Sequence, residues 1–275
     1  MRCAWKELLS ILPDWMRADV DELGKDSLQE LRLRIGHPPE LVRMGNDKLL
    51  RRDVREEDLN YIVNVASRYS PWAAATSAQG YLTAPGGHRI GLCGEAVIQR
   101  CAMTGLRQVR SLCIRVARDL PGIAHALDHL DGSILIIGRP GSGKTTLLRD
   151  LIRYRSLKGS VAVVDERGEI FPKGFDIGNR TDILTGCPKS YGIDILLRTM
   201  GPTTIAVDEI TAETDCEAMI KAGWCGVGLL ATAHAASRED LASRPVYRPL
   251  VESRLFDSIV ILRPDKSWKL ERMDL

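Results

Sequence analysis

Apolar residues in the first part of the chain recur with two different periods. Over residues 4–23, Trp5, Leu8, Leu9 and Leu12 fall at helical spacing until Pro13 interrupts them, which predicts two short helices. Leu31-Arg32-Leu33-Arg34-Ile35 alternates strictly, Gly36 and Pro38-Pro39 break the run, and residues 40–45 resume it. That pattern predicts two strands joined by a proline turn. Helical spacing returns over residues 55–70 with Leu59, Ile62, Val63 and Ala66. Residues 80–83 and 89–94 flank Pro85-Gly86-Gly87 as a hairpin, and residues 109–116 read as a further strand.

From Ser133 the pattern changes. Short apolar runs at residues 134–137, 161–164, 205–207, 229–231 and 259–262 alternate with helical stretches, as in a parallel sheet covered by helices. Pro121-Gly122 and Asp131-Gly132 punctuate the transition. The expected organisation is an α+β domain over residues 1–125 followed by an α/β domain over residues 126–275.

The second domain carries the chemistry. Gly138-Arg139-Pro140-Gly141-Ser142-Gly143-Lys144-Thr145 fits G-x-x-x-x-G-K-[ST] at every fixed position. An apolar strand precedes it, and a helical stretch opening at Thr146 follows. Glycines let the backbone curl so that several N–H groups point at one phosphate, and the helix N-terminus adds positive potential. The loop, Gly138 through Thr146, is therefore the expected ATP site. Lys144 is assigned to the β- and γ-phosphates and the Thr145 hydroxyl to Mg2+.

Residues 204–209 form an apolar strand ending in Asp208-Glu209. Asp208 is the second expected magnesium ligand. Glu209 is the residue expected to orient or deprotonate the attacking water; the alternative is a helix cap. Asp165, Glu166 and Glu169 follow another core strand, where they are expected to face a nucleotide or a neighbouring subunit, a solvated turn being the alternative. Thr232 and His234 stand two apart at the end of a fourth strand and so share a side. His234 reads as a phosphate sensor or as a structural histidine.

Composition narrows the classes. The chain has 275 residues, 44% apolar and 27% charged, with a formal net charge of +2. That is ordinary for a globular protein and unlike a strongly electrostatic nucleic-acid binder. No apolar run approaches the length of a membrane span, so no direct span is expected. The seven cysteines show no C-x-x-C spacing and read as reduced, mostly buried thiols. Trp5 and Trp15 are expected to pack on their own domain rather than on a membrane.

The order of these motifs resembles the secretion and pilus-retraction ATPases. Those families carry a phosphate loop, an acidic box, a G-E-I-R-D-x-E-T segment and a T-x-H box. Here residues 138–145, then Asp165-Glu166-Arg167-Gly168-Glu169, then residues 208–214, then Thr232-Ala233-His234 take those places. Glu209 falls on the families' catalytic glutamate. Asp208 stands where they have glycine, and Thr211 where they have arginine.

The chain is still more similar to the stage III sporulation AA family of endospore-forming bacteria. The shared segments are Pro85-Gly86-Gly87-His88-Arg89, residues 143–150, residues 163–170, Cys187-Pro188-Lys189 and Ala231-Thr232-Ala233-His234.

These resemblances imply a RecA-like P-loop NTPase domain preceded by the smaller α+β domain. They imply an ATPase with ATP and Mg2+ at the loop, and Lys144, Glu209, Glu166, His234 and Arg89 as catalytic residues. They also imply self-association into a ring, taken as a homohexamer. The ring is placed in the cytoplasm on the mother-cell side of a membrane, against membrane-embedded components of a channel complex between mother cell and forespore. No specific nucleic acid is expected: the chain ends soon after its last core strand, without the nucleic-acid-binding domain of some relatives. Between Ala84 and Arg118, six arginines face one acid, Glu95, a net of +5. Arg89 and then Arg115 are the candidates to reach a neighbour's γ-phosphate, against a solvated or nucleic-acid-facing surface. A nucleic-acid-stimulated ATPase and a nucleotide-gated scaffold with little turnover stay open as alternatives.

Overall fold

The computed structural model describes residues 3–43, 46–67, 80–99, 101–172 and 174–273. Residues 44–45 of the second expected strand, 68–70 of the expected helix and Arg100 of the arginine series lie outside them.

The chain forms two compact units. One comprises Met1–Asp119 with Pro172–Gly174, the other Leu120–Phe171 with Phe175–Leu275. The division falls at Asp119/Leu120 rather than after residue 125, for a physical reason. Asp150, buried in the second unit, accepts hydrogen bonds from the backbone N–H groups of Gly122 (2.9 Å) and Ala124 (2.8 Å). Ala124 then packs into that unit's core.

In the first unit, helices α1 (Trp5–Ile11), α2 (Asp14–Leu23) and α3 (Glu56–Ser67) accompany a six-stranded sheet. Its strands are β1 (Leu28–Arg34), β2 (Glu40–Arg43), β3 (Lys48–Leu49), β4 (Tyr81–Thr83), β5 (Arg89–Gln99) and β6 (Ala102–Arg115). They lie in the order β3-β2-β1-β6-β5-β4. The strict alternation of β1 sends Leu31 and Leu33 into the core, while Arg32 pairs with Glu30 and Arg34 with Glu40. Trp5 and Trp15 pack on the same core, their indole N–H groups donating to Asp21 and Asp58. The β5–β6 arm is longer than the pattern predicts, because its far half is largely exposed and carries bulges, the first at Cys93/Gly94.

The second unit is a seven-stranded sheet in the order β13-β12-β7-β11-β10-β8-β9. Its elements are β7 (Ile134–Gly138), α4 (Lys144–Lys158), β8 (Val161–Asp165), β9 (Thr181–Thr185), α5 (Lys189–Thr199), β10 (Thr204–Val207), α6 (Glu213–Trp224), β11 (Gly228–Ala233), α7 (Arg238–Ser243), α8 (Arg248–Glu252), β12 (Ser258–Leu262) and β13 (Trp268–Arg272). All pairings are parallel except β12–β13.

The five apolar runs seen in the sequence are its five central strands. Each is divided by the pleat between two cores. Leu135, Ala162, Ile205 and Leu229 join the layer with α5 and α6. Ile134, Val161, Ala206 and Leu230 join the layer with Leu147, Leu148, Leu151 and Ile152 of α4. Because β7, β11 and β10 are neighbours and parallel, their carboxyl ends open side by side at one edge of the sheet. Among the described residues no cysteine is paired and only Cys216 is buried; Cys93, Cys101 and Cys225 are exposed, against the expectation of mostly buried thiols.

Candidate active site

The loop between β7 and α4 is built as its sequence requires. Gly141 (φ 73°) and Gly143 (φ 101°) adopt left-handed conformations that side chains disfavour. At Gly138 a Cβ would stand 2.6 Å from Ser142 Oγ and 2.9 Å from the Leu262 carbonyl oxygen. Lys144, at the first turn of α4, is buried. Its ammonium donates to the carbonyls of Gly138 (3.0 Å) and Arg139 (3.1 Å) and lies 3.0 Å from His234 Nδ1. Burial pushes the Lys144 pKa below its ordinary value, opposed by the charges of Asp208 and Glu209. Ser142 Oγ is buried and has no hydrogen-bond partner. An unsatisfied hydroxyl and a desolvated cation inside a curled loop are the donor set of a phosphate, so the residues fit that group. Arg139 and Pro140 are exposed at the loop's outer edge, and Thr146 is half-buried on the first turn of α4.

The end of β10 meets this loop through hydroxyls. Thr145 donates to Asp208 Oδ2 at 2.7 Å, and Thr232 of β11 donates to Asp208 Oδ1. Thr232 Oγ1 also accepts from the Glu209 backbone N–H at 2.8 Å. Glu209 has φ 48°, a left-handed conformation uncommon outside glycine, held here by both its neighbours and its side-chain partners. Its Oε1 lies 3.0 Å from His234 Nε2 and its Oε2 3.1 Å from Arg167 Nη1. Since the Lys144 ammonium can only donate, His234 Nδ1 accepts from it and Nε2–H donates to Glu209. Three of the expected residues are thus one chain of contacts, Lys144–His234–Glu209. Thr145 and Asp208 form a direct pair, the combination a hydrated divalent cation takes.

Asp165, Glu166 and Glu169 line one small cavity with Asp208 and Glu209, and Asp165 also has a structural part. It is 2% exposed and accepts from the backbone N–H groups of Glu169 (2.8 Å), Ile170 (3.0 Å) and Phe171 (3.2 Å), so it fixes the loop after β8. Burial pushes its pKa up, against those three donors. Glu166 pairs with Lys189, the buried first residue of α5, which lines the same cavity. Arg89 lies in the first unit with its guanidinium 4.5 Å above the Tyr81 ring. It shares a pocket there with Arg115, which pairs with Glu30 at 3.2 Å.

Four contributors escaped the sequence reading. Arg167 holds Glu209, Lys189 holds Glu166, Lys266 donates to the Gly141 carbonyl, and Tyr247 donates to the Ile210 carbonyl at 3.0 Å while accepting from the His234 N–H. Lys189 left a signal as the third residue of Cys187-Pro188-Lys189, and Arg167 as the centre of Asp165-Glu166-Arg167-Gly168-Glu169, without its partner.

A parallel sheet with this loop at the end of one strand and paired acids at the end of the next but one defines a RecA-like P-loop fold. Solved structures agree: the ATPase DotB of Legionella pneumophila superposes with a TM-score of 0.62 at 16% identity, covering 95% of this chain and 80% of that one. The pilus retraction motor PilT with bound ADP does so with a TM-score of 0.62 at 16% identity, over 94% of this chain and 82% of that one. Within that class the chain belongs to the sporulation stage III protein AA family, whose model matches residues 6–269. It is 36% identical over 272 residues to stage III sporulation protein AA of Bacillus subtilis (strain 168), spanning 91% of this chain and 88% of that one. No helix among the described residues is long and apolar enough to cross a membrane.

Proposed function

We propose that this protein binds ATP with Mg2+ at the 138–146 loop and hydrolyses it, as the motor of a membrane-associated sporulation channel complex. The observation that carries the reading is the convergence of Lys144, His234 and Glu209 from three separate elements onto 3.0 Å contacts. In this reading the backbone N–H groups of the loop and Lys144 hold the β- and γ-phosphates. Thr145 and Asp208 hold Mg2+, which supplies charge neutralisation on the phosphates. Glu209 orients the attacking water and takes its proton, and His234 fixes one oxygen of that carboxylate. Glu166, neutralised by Lys189, shapes the cavity beside Glu209.

The family resemblance extends the reading to a ring of identical subunits, a homohexamer, on the mother-cell face of the membrane, docked on membrane-embedded channel components. The arginine-rich first unit, with Arg89 and Arg115 in one pocket, is suited to a neighbour's γ-phosphate in such a ring. The experiment is Mg2+-dependent ATP hydrolysis by the full chain, repeated with single-stranded DNA and across salt. Specific activity that rises with protein concentration and ignores DNA is the expected result. Steeply salt-dependent stimulation by DNA would favour a nucleic-acid-driven ATPase instead. Binding without turnover at any concentration would leave a nucleotide-gated scaffold.

A further inference from the structure

The two ends of a nucleotide at this loop fall on different flanks of β7. The groups suited to the metal and the attacking water (Asp208, Glu209 and His234) lie at the ends of β10 and β11, on one side. A nucleotide with its β-phosphate in the loop and its γ-phosphate toward Glu209 must leave the loop on the other side. That side is the β12–β13 hairpin.

The hairpin places a cation and an aromatic ring beside the loop. Lys266 takes the left-handed position (φ 70°) that closes a three-residue hairpin turn between Arg263 and Ser267. Its side chain crosses to the loop and donates to the Gly141 carbonyl. Trp268 opens β13 directly opposite Leu262, and Leu262 is in turn directly opposite Gly138. Two strand spacings put the Trp268 backbone ~10 Å from that of Gly138. Directly opposed residues project from the same face of a sheet. Leu262 belongs to the core under α4, so Trp268 projects on the side where α4 begins at the loop. Unlike Leu262, which is 8% exposed, Trp268 keeps 37% of its surface open.

We propose that the β12–β13 hairpin is the nucleoside subsite, with Trp268 as the stacking surface for a purine base and Lys266 as the cation between base and loop. This rests on the reading of the 138–146 loop as an ATP site and assigns the base-recognising residues of that same site. An indole presents the largest aromatic face available to a purine bicycle, and stacking of a base on such a face contributes to affinity without hydrogen-bond readout.

The test is calorimetric titration of the full chain with Mg2+-ATP and, separately, with Mg2+-tripolyphosphate, which has no base. Trp268→Ala is expected to weaken ATP about tenfold and to leave tripolyphosphate unchanged. Trp268→Phe, which keeps an aromatic face, is expected to recover most of the loss. Lys266→Ala is expected to weaken ATP severalfold. Equal losses for both ligands in Trp268→Ala, or no loss for either, overturn the subsite while leaving the phosphate loop standing. A wild-type chain that binds neither ligand overturns the ATP site itself, and the subsite with it.

Discussion

The Nζ of Lys144 lies 3.0 Å from Nδ1 of His234, and the opposite ring nitrogen lies 3.0 Å from Glu209. One imidazole therefore joins Lys144, proposed to hold phosphate, to Glu209, proposed to handle water. His234→Ala removes that joint while leaving Lys144 its two carbonyl acceptors in the loop, Gly138 and Arg139. Turnover is expected to fall about 10²-fold, in the range of a displaced general base, while the affinity for ATP changes less than about threefold. Single-turnover hydrolysis together with equilibrium nucleotide binding separates the two effects. A loss confined to binding would assign His234 to the loop instead.

At Gly138 there is no room for a side chain. A Cβ would press on Ser142 Oγ at 2.6 Å and, more seriously, on the Leu262 carbonyl oxygen at 2.9 Å, which is backbone and cannot rotate away. Gly138→Ala is expected to displace the start of the loop and weaken ATP binding at least tenfold, read by the same titrations. Unchanged affinity would mean that the loop's position at β7 does not matter to binding.

Asp165→Ala leaves three buried or half-buried backbone N–H groups, those of Glu169, Ile170 and Phe171, without their acceptor. The expected cost is about 3 kcal/mol in urea unfolding, since each stranded donor loses solvation it cannot recover. An effect below about 0.5 kcal/mol would leave Asp165 with only the ligand-facing role its sequence position suggested.

How far the sequence reached follows from which patterns are local. The five central strands were legible because both of their faces are buried and they read as unbroken apolar runs. The edge strands β9 and β13 were not, since Thr181-Asp182-Ile183-Leu184-Thr185 and Trp268-Lys269-Leu270-Glu271-Arg272 alternate over too few residues to stand out from a loop. The loop and the Asp208-Glu209 pair were visible because a phosphate site needs fixed spacings. Asp165 shows the limit: an acid at a strand end serves equally to line a ligand cavity or to cap the turn that follows, and only the three N–H groups reveal the second role. Arg167 and Tyr247 act across 42 and 37 residues of chain, a relationship no periodicity records.

His88 gives a pH dependence with a defined sign. It is fully buried; Nε2–H donates to the Ala4 carbonyl at 2.9 Å, and Nδ1 accepts from the Ala117 N–H at 3.1 Å. Burial holds its pKa below the ordinary histidine value, so the folded chain binds this proton less readily than the unfolded one. Its contribution to stability is complete above about pH 6.5, the unfolded value, and is lost progressively as pH falls below that toward the folded value. Urea midpoints measured from pH 7.5 downward are expected to drop less steeply in His88→Gln than in the parent. Parallel slopes would show that His88 is not the group responsible.

The most direct measurement of the central claim is Mg2+-dependent phosphate release by the full chain across a range of protein concentration, with Lys144→Ala and Glu209→Gln alongside. The account predicts specific activity that rises with concentration, loss of ATP binding in Lys144→Ala, and an ATP-binding but hydrolytically dead Glu209→Gln. Activity that survives in Glu209→Gln would contradict the assignment of this carboxylate to the attacking water, and with it the reading of the site.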